Sequence, residues 1–547
     1  MSEPSVDDLR LQLRQRGYLS HGVERWFAQD PWSSRTFWVE LVALSAKAAT
    51  LIALFALLPL STVMVMRNHP LSAWETLVIA LLYGAVSWIV AFALLLGLGL
   101  LLRGRPDLAI DTPRALLAIS LSASAALTAP VAWWWLGFGT PATLPELVIG
   151  GALITLLFLV STTVVSAALL SFSIYELQRV PAIHRTSRSV PMSAAAMILI
   201  ALLFVPAWAL QDRGGAEEPL QVVTAPGEAR VAFVAVDGLT FELLRAHPSL
   251  LALFTAAGPV RSFAAGSAPE RWASVGTGVP ASLHGVRSVE GVRVVRGTHV
   301  LQSVSNGDVA LRQLGETTRL TRRQPLPPTV RRRDYVWELF AHRGVPSLAV
   351  NWWTSAEAHG GGLDQVSQAT VFAAAAVRGG SPETIALRVD AAAASTFLRA
   401  VDGHRPRLAT VYLPSLDILL NRLSIDASSR LALSSRALEQ VEGLLREMRG
   451  RGYAVILLGM PGEGQSGSAS MAWTLTDPCC ERGSADDVAP TLCALLGFPA
   501  SRDMSGRSLV PENLPRLSSY GRRHIDTKPA PVDQEYYRSL RSLGYVR

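Results

Sequence analysis

Two aspartates and a hydroxyl-rich loop are the parts of this chain whose types and spacing suit chemistry. Asp237 closes the apolar run VAFVAVD and precedes Gly238. Asp417 follows a second apolar run, Leu408–Leu413, across the link Pro414-Ser415-Leu416. Between them in sequence lies APERWASVGTGVPASLHG (Ala268 to Gly285), with Ser267 just before it. Carboxylates hold cations, and a cation beside a hydroxyl turns it into a nucleophile and steadies the leaving oxygen. The plainer uses are an aspartate turn before a glycine and an ordinary loop serine. Context decides between them.

The elements that must position these residues alternate. Apolar runs of strand length occur at Val231–Val236, Pro346–Val350, Leu408–Leu413 and Ala454–Leu458. Helical patterns stand between them: Phe241–Arg245, Tyr335–Gly344, a segment opened by Ser381-Pro382-Glu383, and Arg430–Arg449. Ser381 reads as a cap and Pro382 as the first helical residue. Continuous apolar strands alternating with helices predict an α/β domain with a covered, mainly parallel central sheet. Such sheets bind ligands beyond the carboxyl ends of their strands. Asp237, Asp417 and the loop from Gly459 all fall there.

The first 210 residues have another character. Five apolar stretches, at about Leu41–Met66, Leu77–Leu102, Leu116–Phe138, Leu147–Ile174 and Met192–Leu210, each approach or exceed the ~20 residues a membrane-spanning helix needs. Arginines cluster before the first stretch (Arg10, Arg14, Arg16, Arg25, Arg35), between the second and third (Arg103, Arg105, Arg114) and between the fourth and fifth (Arg179, Arg185, Arg188). The alternate connections carry Arg67 alone or no basic residue. Positive charge stays inside, so the expected protein is integral to the membrane with a cytoplasmic N-terminus. Its C-terminal domain is expected to be extracytoplasmic, and periplasmic in a cell with an outer membrane. The charged leader is too long and acidic for a cleavable signal, so the first stretch is expected to remain as an anchor. The expected organisation is a cytoplasmic amphipathic leader (1–40), a five-helix membrane domain (41–210), a linker (211–228), an outer domain (229–515) and a tail (516–547).

Composition narrows the partners. The net charge of +7 is almost wholly arginine, since Lys47 and Lys528 are the only lysines. It accompanies no helix or stacking motif for nucleic acid, so no nucleic-acid partner is expected. Membrane lipids are the expected neighbours, with an envelope protein or a lipid-linked substrate as further candidates. Arg319–Arg333 holds six arginines and reads as a solvated loop, with phosphate binding as the sharper alternative. Cys479, Cys480 and Cys493 permit one disulfide in an oxidising compartment but lack zinc-binding spacing.

In order and spacing, the outer segments resemble the alkaline phosphatase superfamily. They are most similar to its nucleotide pyrophosphatase/phosphodiesterase-like (sulfatase-like) branch, over about Ala229 to Leu509. Val236-Asp237-Gly238 looks like the strand end bearing the first metal ligand. Trp272 to Gly278, with Pro280 and His284-Gly285, looks like the nucleophile-loop signature. Val345–Gly362 resembles the next strand and loop, and Asp486–Pro499 with Met504–Arg507 resembles the closing segment. The resemblance implies an alkaline-phosphatase-like fold and two-cation phosphoryl transfer. It makes Asp237 and Asp417 candidate metal ligands and Ser267 the candidate nucleophile. Counting back from Thr277-Gly278 instead puts Ala268 at that position.

Several residues the resemblance requires are absent. Asn421 stands where a histidine is expected, four residues after Asp417. Met460-Pro461-Gly462 replaces an Asp-His-Gly triplet, and no histidine lies between Gly464 and Asp486. His284 belongs to a turn and is not counted as a ligand. An amide is a poor zinc ligand beside imidazole. The expected function is therefore a membrane-anchored, phosphodiesterase-like pseudoenzyme, without cofactor, serving binding or assembly in the cell envelope. The alternative is an active phosphoesterase or phosphotransferase on lipid-linked or envelope phosphoesters, with zinc, manganese or magnesium.

Overall fold

The computed structural model describes residue 15 and residues 37–68, 71–101, 113–136, 144–178, 230–262, 266–302, 308–377, 379–465, 467–475, 483–512, 514–523 and 533–546. Two compact units emerge. One comprises residues 1–212 and 294–322, the other residues 213–293 and 323–547.

The first unit holds the helices α1 (Phe37–Asn68), α2 (Ala73–Leu101), α3 (Pro113–Leu136) and α4 (Leu144–Gln178). All are long and apolar enough to cross a bilayer. Among the described residues the count is four, not five, because Met192–Leu210 lies outside them, as do nearly all of the 1–40 leader and the 211–228 linker. Leu41, Ala48, Ala49 and Ile52 of α1 pack with Ala91 and Leu95 of α2, and Val165, Ala168 and Leu169 of α4 close the same core. Small residues let the helix backbones approach where no water drives apolar burial. Leu77, Leu81, Ile89, Val90 and Leu159 face outward, as lipid-facing side chains do.

Residues 294–322 belong to this unit and grip the α1–α2 connection. Gln302 N–H donates to Asn68 Oδ1 at 2.8 Å. The buried Glu75 accepts from the Thr298 and His299 amides at 2.9 and 2.8 Å, and its other oxygen lies 2.9 Å from His299 Nδ1. Further along α2, Tyr83 donates to Asp308 Oδ2 at 2.7 Å. Asp308 also caps the following turn through Leu311 N–H, at 3.0 Å.

The second unit is α/β. The strands of its main sheet are β1 (Val231–Asp237), β2 (Ala256–Val260), β3 (Ser347–Trp352), β4 (Ala358–Gly360), β5 (Leu363–Ser367), β6 (Leu408–Leu413), β7 (Ala454–Met460) and β8 (Ala469–Trp473). Its main helices are α5 (Ala268–Thr277), α6 (Val336–Ala341), α7 (Pro382–His404), α8 (Ala427–Gly450), α9 (Val488–Leu496) and α10 (Gln534–Ser542). The eight strands form one sheet of order β2-β8-β7-β1-β6-β3-β5-β4. The expected mainly parallel sheet is mixed: β7, β1, β6, β3 and β5 run parallel, while β8, β2 and β4 are antiparallel at the edges. The central strands are buried throughout, which explains their unbroken apolar sequences. β8 and β4 are short and run opposite to their sequence neighbours β7 and β5, so no crossover helix announces them.

Local signals act where expected. Ser381 caps α7 by accepting from Thr384 N–H, with Pro382 in the first turn. The Arg319–Arg333 run, in contrast, is not simply a solvated loop. Arg331 is fully buried, donates to Glu338 Oε1 at 2.6 Å and lies 3.8 Å over the Tyr335 ring. Burial alone would raise the Glu338 carboxyl, but Arg331 and Arg523 hold it below its usual range. Arg333 is also buried and donates to the Gly521 carbonyl.

Removing one partner of a buried pair strands the other charge, at a cost of about 3–5 kcal/mol. Arg331→Ala is therefore expected to lower the thermal unfolding midpoint of the purified protein sharply. Arg331→Lys should rescue it poorly, because a lysine cannot keep both the planar stacking and the forked donation. Calorimetry in detergent checks both.

Candidate functional site

The parallel register brings the strand ends to one rim. Val236 pairs with Leu413 on β6, and Asp237 pairs with Met460 on β7. The residues just past these ends are Gly238, Pro414 to Asp417, and Pro461 to Glu463. The sequence-predicted Asp237 and Asp417 do meet there, and both are fully buried. Backbone approach is tight. Gly238 has φ 90°, and a Cβ at that position would lie within 2.8 Å of the Asp417 Cα. A Cβ on Gly462 would overlap Asn421 Nδ2 and Asp417 Oδ1.

Asp417 is held by an arginine. Arg422 Nε donates to its Oδ2 at 2.6 Å. Its Oδ1 accepts from Asn421 Nδ2 at 2.8 Å and from Glu463 N–H at 3.3 Å. Residues Ile418–Arg422 form a π-helical turn. The wider i→i+5 winding brings both Asn421 and Arg422 over Asp417, which an α-helical turn would not do. Arg422 also pairs with Glu463 at 3.1 Å and lies 3.9 Å from the centre of the Tyr545 ring.

Asp237 is served more loosely. Tyr412 Oη donates to its Oδ2 at 2.9 Å, while Arg271 Nη2 stands 3.8 Å from Oδ1, which has no hydrogen-bond partner. Arg271 spends its other amino group on the Pro461 carbonyl, at 2.6 Å. Burial and the neighbouring Asp417 push the Asp237 carboxyl up to about 6, against the pull of Arg271, Arg422 and the Tyr412 hydroxyl. Below lies an aromatic floor. Trp272 meets Tyr412 edge-on at 5.3 Å, and Trp352, Trp337 and Tyr335 pack behind them. At the end of β3 a bulge places Asn351 at φ 66°, where its amide donates to the Tyr412 carbonyl at 2.8 Å.

Ser267 is the N-cap of α5. Its hydroxyl accepts from Glu270 N–H at 3.4 Å and donates to the Arg287 carbonyl at 2.9 Å. Ala268 is the first residue of that helix and is buried. His284 lies in the turn after it. Val286 N–H donates to His284 Nδ1 at 3.0 Å, so Nε2 carries the proton toward Ser274 Oγ, 2.9 Å away. Burial and the charges of Arg287, Arg331 and Arg332 push this imidazole down to about 3, and it stays neutral. Cys493 is a buried free thiol in α9, while Cys479 and Cys480 lie outside the described residues.

A two-cation centre requires several free carboxylates and imidazoles converging on open space. Among the described residues, no group of three or more histidine, cysteine, aspartate or glutamate side chains gathers in this way. Both carboxylate oxygens of Asp417 already accept hydrogen bonds, Oδ2 from Arg422 and Oδ1 from Asn421. This donor set does not fit a tight dinuclear site. What the rim does offer is a compensated cluster of buried charge. Sequence reasoning missed Arg422, Tyr412 and Tyr545. Arg422 stands five residues after Asp417, a spacing that points to pairing only once the intervening turn is π-helical.

A further buried carboxylate positions Asp417. Asp390 on α7 accepts from both the amide and the hydroxyl of Ser415, at 3.1 Å for the amide. Burial pushes it up to about 7, with the Ser415 hydrogen bonds opposing. A folded-state value above the unfolded ~3.9 means the folded protein holds this proton more tightly. Its contribution to stability is greatest below pH ~4 and is lost as the pH rises toward about 7. Asp390→Asn should flatten that part of the decline in unfolding midpoint with pH, with little change at pH ~4. A pH series of thermal melts on both proteins checks this.

No known protein-family model matches the chain, and no curated protein matches it. Among solved structures it is similar to a phosphonoacetate hydrolase from Sinorhizobium meliloti 1021 in complex with phosphonoformate, at 16% identity over 43% of this chain, with a TM-score of 0.31. A structure of the same hydrolase with phosphonoacetate gives 14% identity over 43% of this chain and a TM-score of 0.27. The chain spans 58% of the length of each.

Proposed function

We propose that this protein is a membrane-anchored, phosphodiesterase-like pseudoenzyme. Arginine side chains serve its rim in place of catalytic cations, and its outer domain works by binding or assembly in the cell envelope. The observation that carries the reading is the Arg422–Asp417 pair, with Arg271 beside Asp237. A guanidinium bonded to a carboxylate neutralises it as a metal ion would, but offers no open coordination position to activate a nucleophile. Ser267, occupied as a helix cap, suits the same reading. The loss of the Asp-His-Gly and histidine positions agrees with it.

The proposed topology has the N-terminus in the cytoplasm and the α/β unit outside. The arginine-rich connections support this through the positive-inside rule. An independent support is the grip of residues 294–322 on Asn68 and Glu75 at the α1–α2 connection. With the N-terminus inside, that connection is extracytoplasmic, and so is the segment bound to it. Residues 294–322 follow the membrane helices in the chain, so an odd number of crossings must precede them. The apolar sequence of Met192–Leu210 is long enough for the fifth crossing that this reading requires.

Purified protein is expected to carry far less than one equivalent of zinc or manganese and to turn over no aryl phosphodiester. Arg422→Ala should destabilise it by about 3–5 kcal/mol by stranding Asp417. Stoichiometric metal together with activity abolished by Asp237→Ala would sink the reading. Elemental analysis and a turnover assay on wild type and Asp237→Ala decide it.

For the topology, a reporter enzyme active only outside the cytoplasm should work when fused after Arg547 and fail when fused after Gln178. Equal activity in both fusions would contradict the five-crossing arrangement.

A further inference from the structure

The C-terminal residues pack against the rim. After α10 the chain turns through Leu543 and Gly544 and lays Tyr545 against Arg422, with the ring centre 3.9 Å from the guanidinium carbon. The same ring meets Trp353 edge-on at 5.2 Å. Leu540 and Leu543 are fully buried, and Tyr545 and Val546 are nearly so. Gly544 has φ 78°, and a Cβ there would press to 3.0 Å on the Arg422 backbone carbonyl. The helix itself is pinned by aromatic residues. Tyr536 donates to Gln368 and stacks edge-on with Phe372, and Tyr537 donates to Glu290 at 2.5 Å.

This segment adds no strand to the sheet. Its contacts are those of a short peptide in a receptor. A helix presents spaced anchors, followed by an apolar hook whose aromatic tip fills a pocket. That ring adjoins the buried Asp417 through Arg422. An arginine face under an aromatic ring is a favourable, partly desolvated contact.

We infer that the rim is a peptide-binding site whose resident ligand is the chain's own C-terminal segment, residues 533–546, with Tyr545 as the anchor. An envelope partner that uses this rim would do so by displacing the tail with a similar helix ending in an aromatic hook. The inference concerns the rim described above and rests on the proposed function only in requiring no substrate entry there.

The test uses the full-length protein in detergent with a site-specific protease sequence placed within residues 524–532. After cleavage, the 533–547 fragment is expected to stay with the body through size exclusion. A labelled synthetic peptide of the same sequence should exchange into it saturably, with a change in tryptophan fluorescence from Trp353. The Tyr545→Ala peptide should bind at least ~100-fold more weakly, as expected for loss of a buried aromatic anchor. Three outcomes overturn the inference: immediate loss of the fragment from a body that remains folded, equal binding of the Tyr545→Ala peptide, or unfolding of the body on cleavage. Phosphodiester turnover that appears only after the tail is removed would instead refute the pseudoenzyme reading and leave tail docking intact.

Discussion

The pairing of Asp417 with Arg422 is the contact around which the rim is arranged. A carboxylate with no exposure to water cannot stay ionised alone, and the cost of stranding one is several kcal/mol. Arg422 meets that need at 2.6 Å, but only because the chain winds as a π-helical turn between the two residues. The turn in turn needs room. Position 462 carries no Cβ, because any Cβ would overlap Asp417 and Asn421. Arg422 needs a surface for the face of its guanidinium, which Tyr545 provides from the far end of the chain. One ion pair thus ties together β6, the loop after β7 and the C-terminal segment.

The sequence showed the central architecture more readily than the rim. Strands such as Val231–Asp237 and Leu408–Leu413 are buried along their whole length, so their apolar runs are continuous and plain to read. The α7 cap at Ser381 is a local signal, and it acts locally. The edge strand β2 and its neighbour β8 have no such signature. They are short, and AAGPV does not look like a strand until β8 pairs with it. Asp237 and Asp417 were findable because each follows a buried strand, and parallel pairing then forces the ends together.

The arginines were harder to place for a physical reason. Charged runs usually face water, so Arg331 and Arg333 read as solvated until the fold brings Glu338 and the Gly521 carbonyl to them. Arg422 could not be assigned to Asp417 without knowing that the intervening turn is π-helical. Tyr545 lies more than 120 residues from its contact, and nothing local distinguishes it from an ordinary tail residue. Long-range pairing of this kind is a property of the folded surface and has no periodic trace.

The two aspartates of the rim show how one fold meets the same electrostatic demand in two ways. Asp417 is neutralised by contact, through a guanidinium within hydrogen-bonding distance and two further donors. Asp237 has only a phenol at 2.9 Å and a guanidinium at 3.8 Å, and its carboxyl is pushed up to about 6. The difference follows from backbone freedom. Asp417 begins a turn that can widen to bring an arginine round, whereas Asp237 ends a strand locked on both sides by β6 and β7. A strand-end residue cannot recruit its own neighbours and must take what adjacent elements present. The compensation at Asp237 is therefore the weaker of the two.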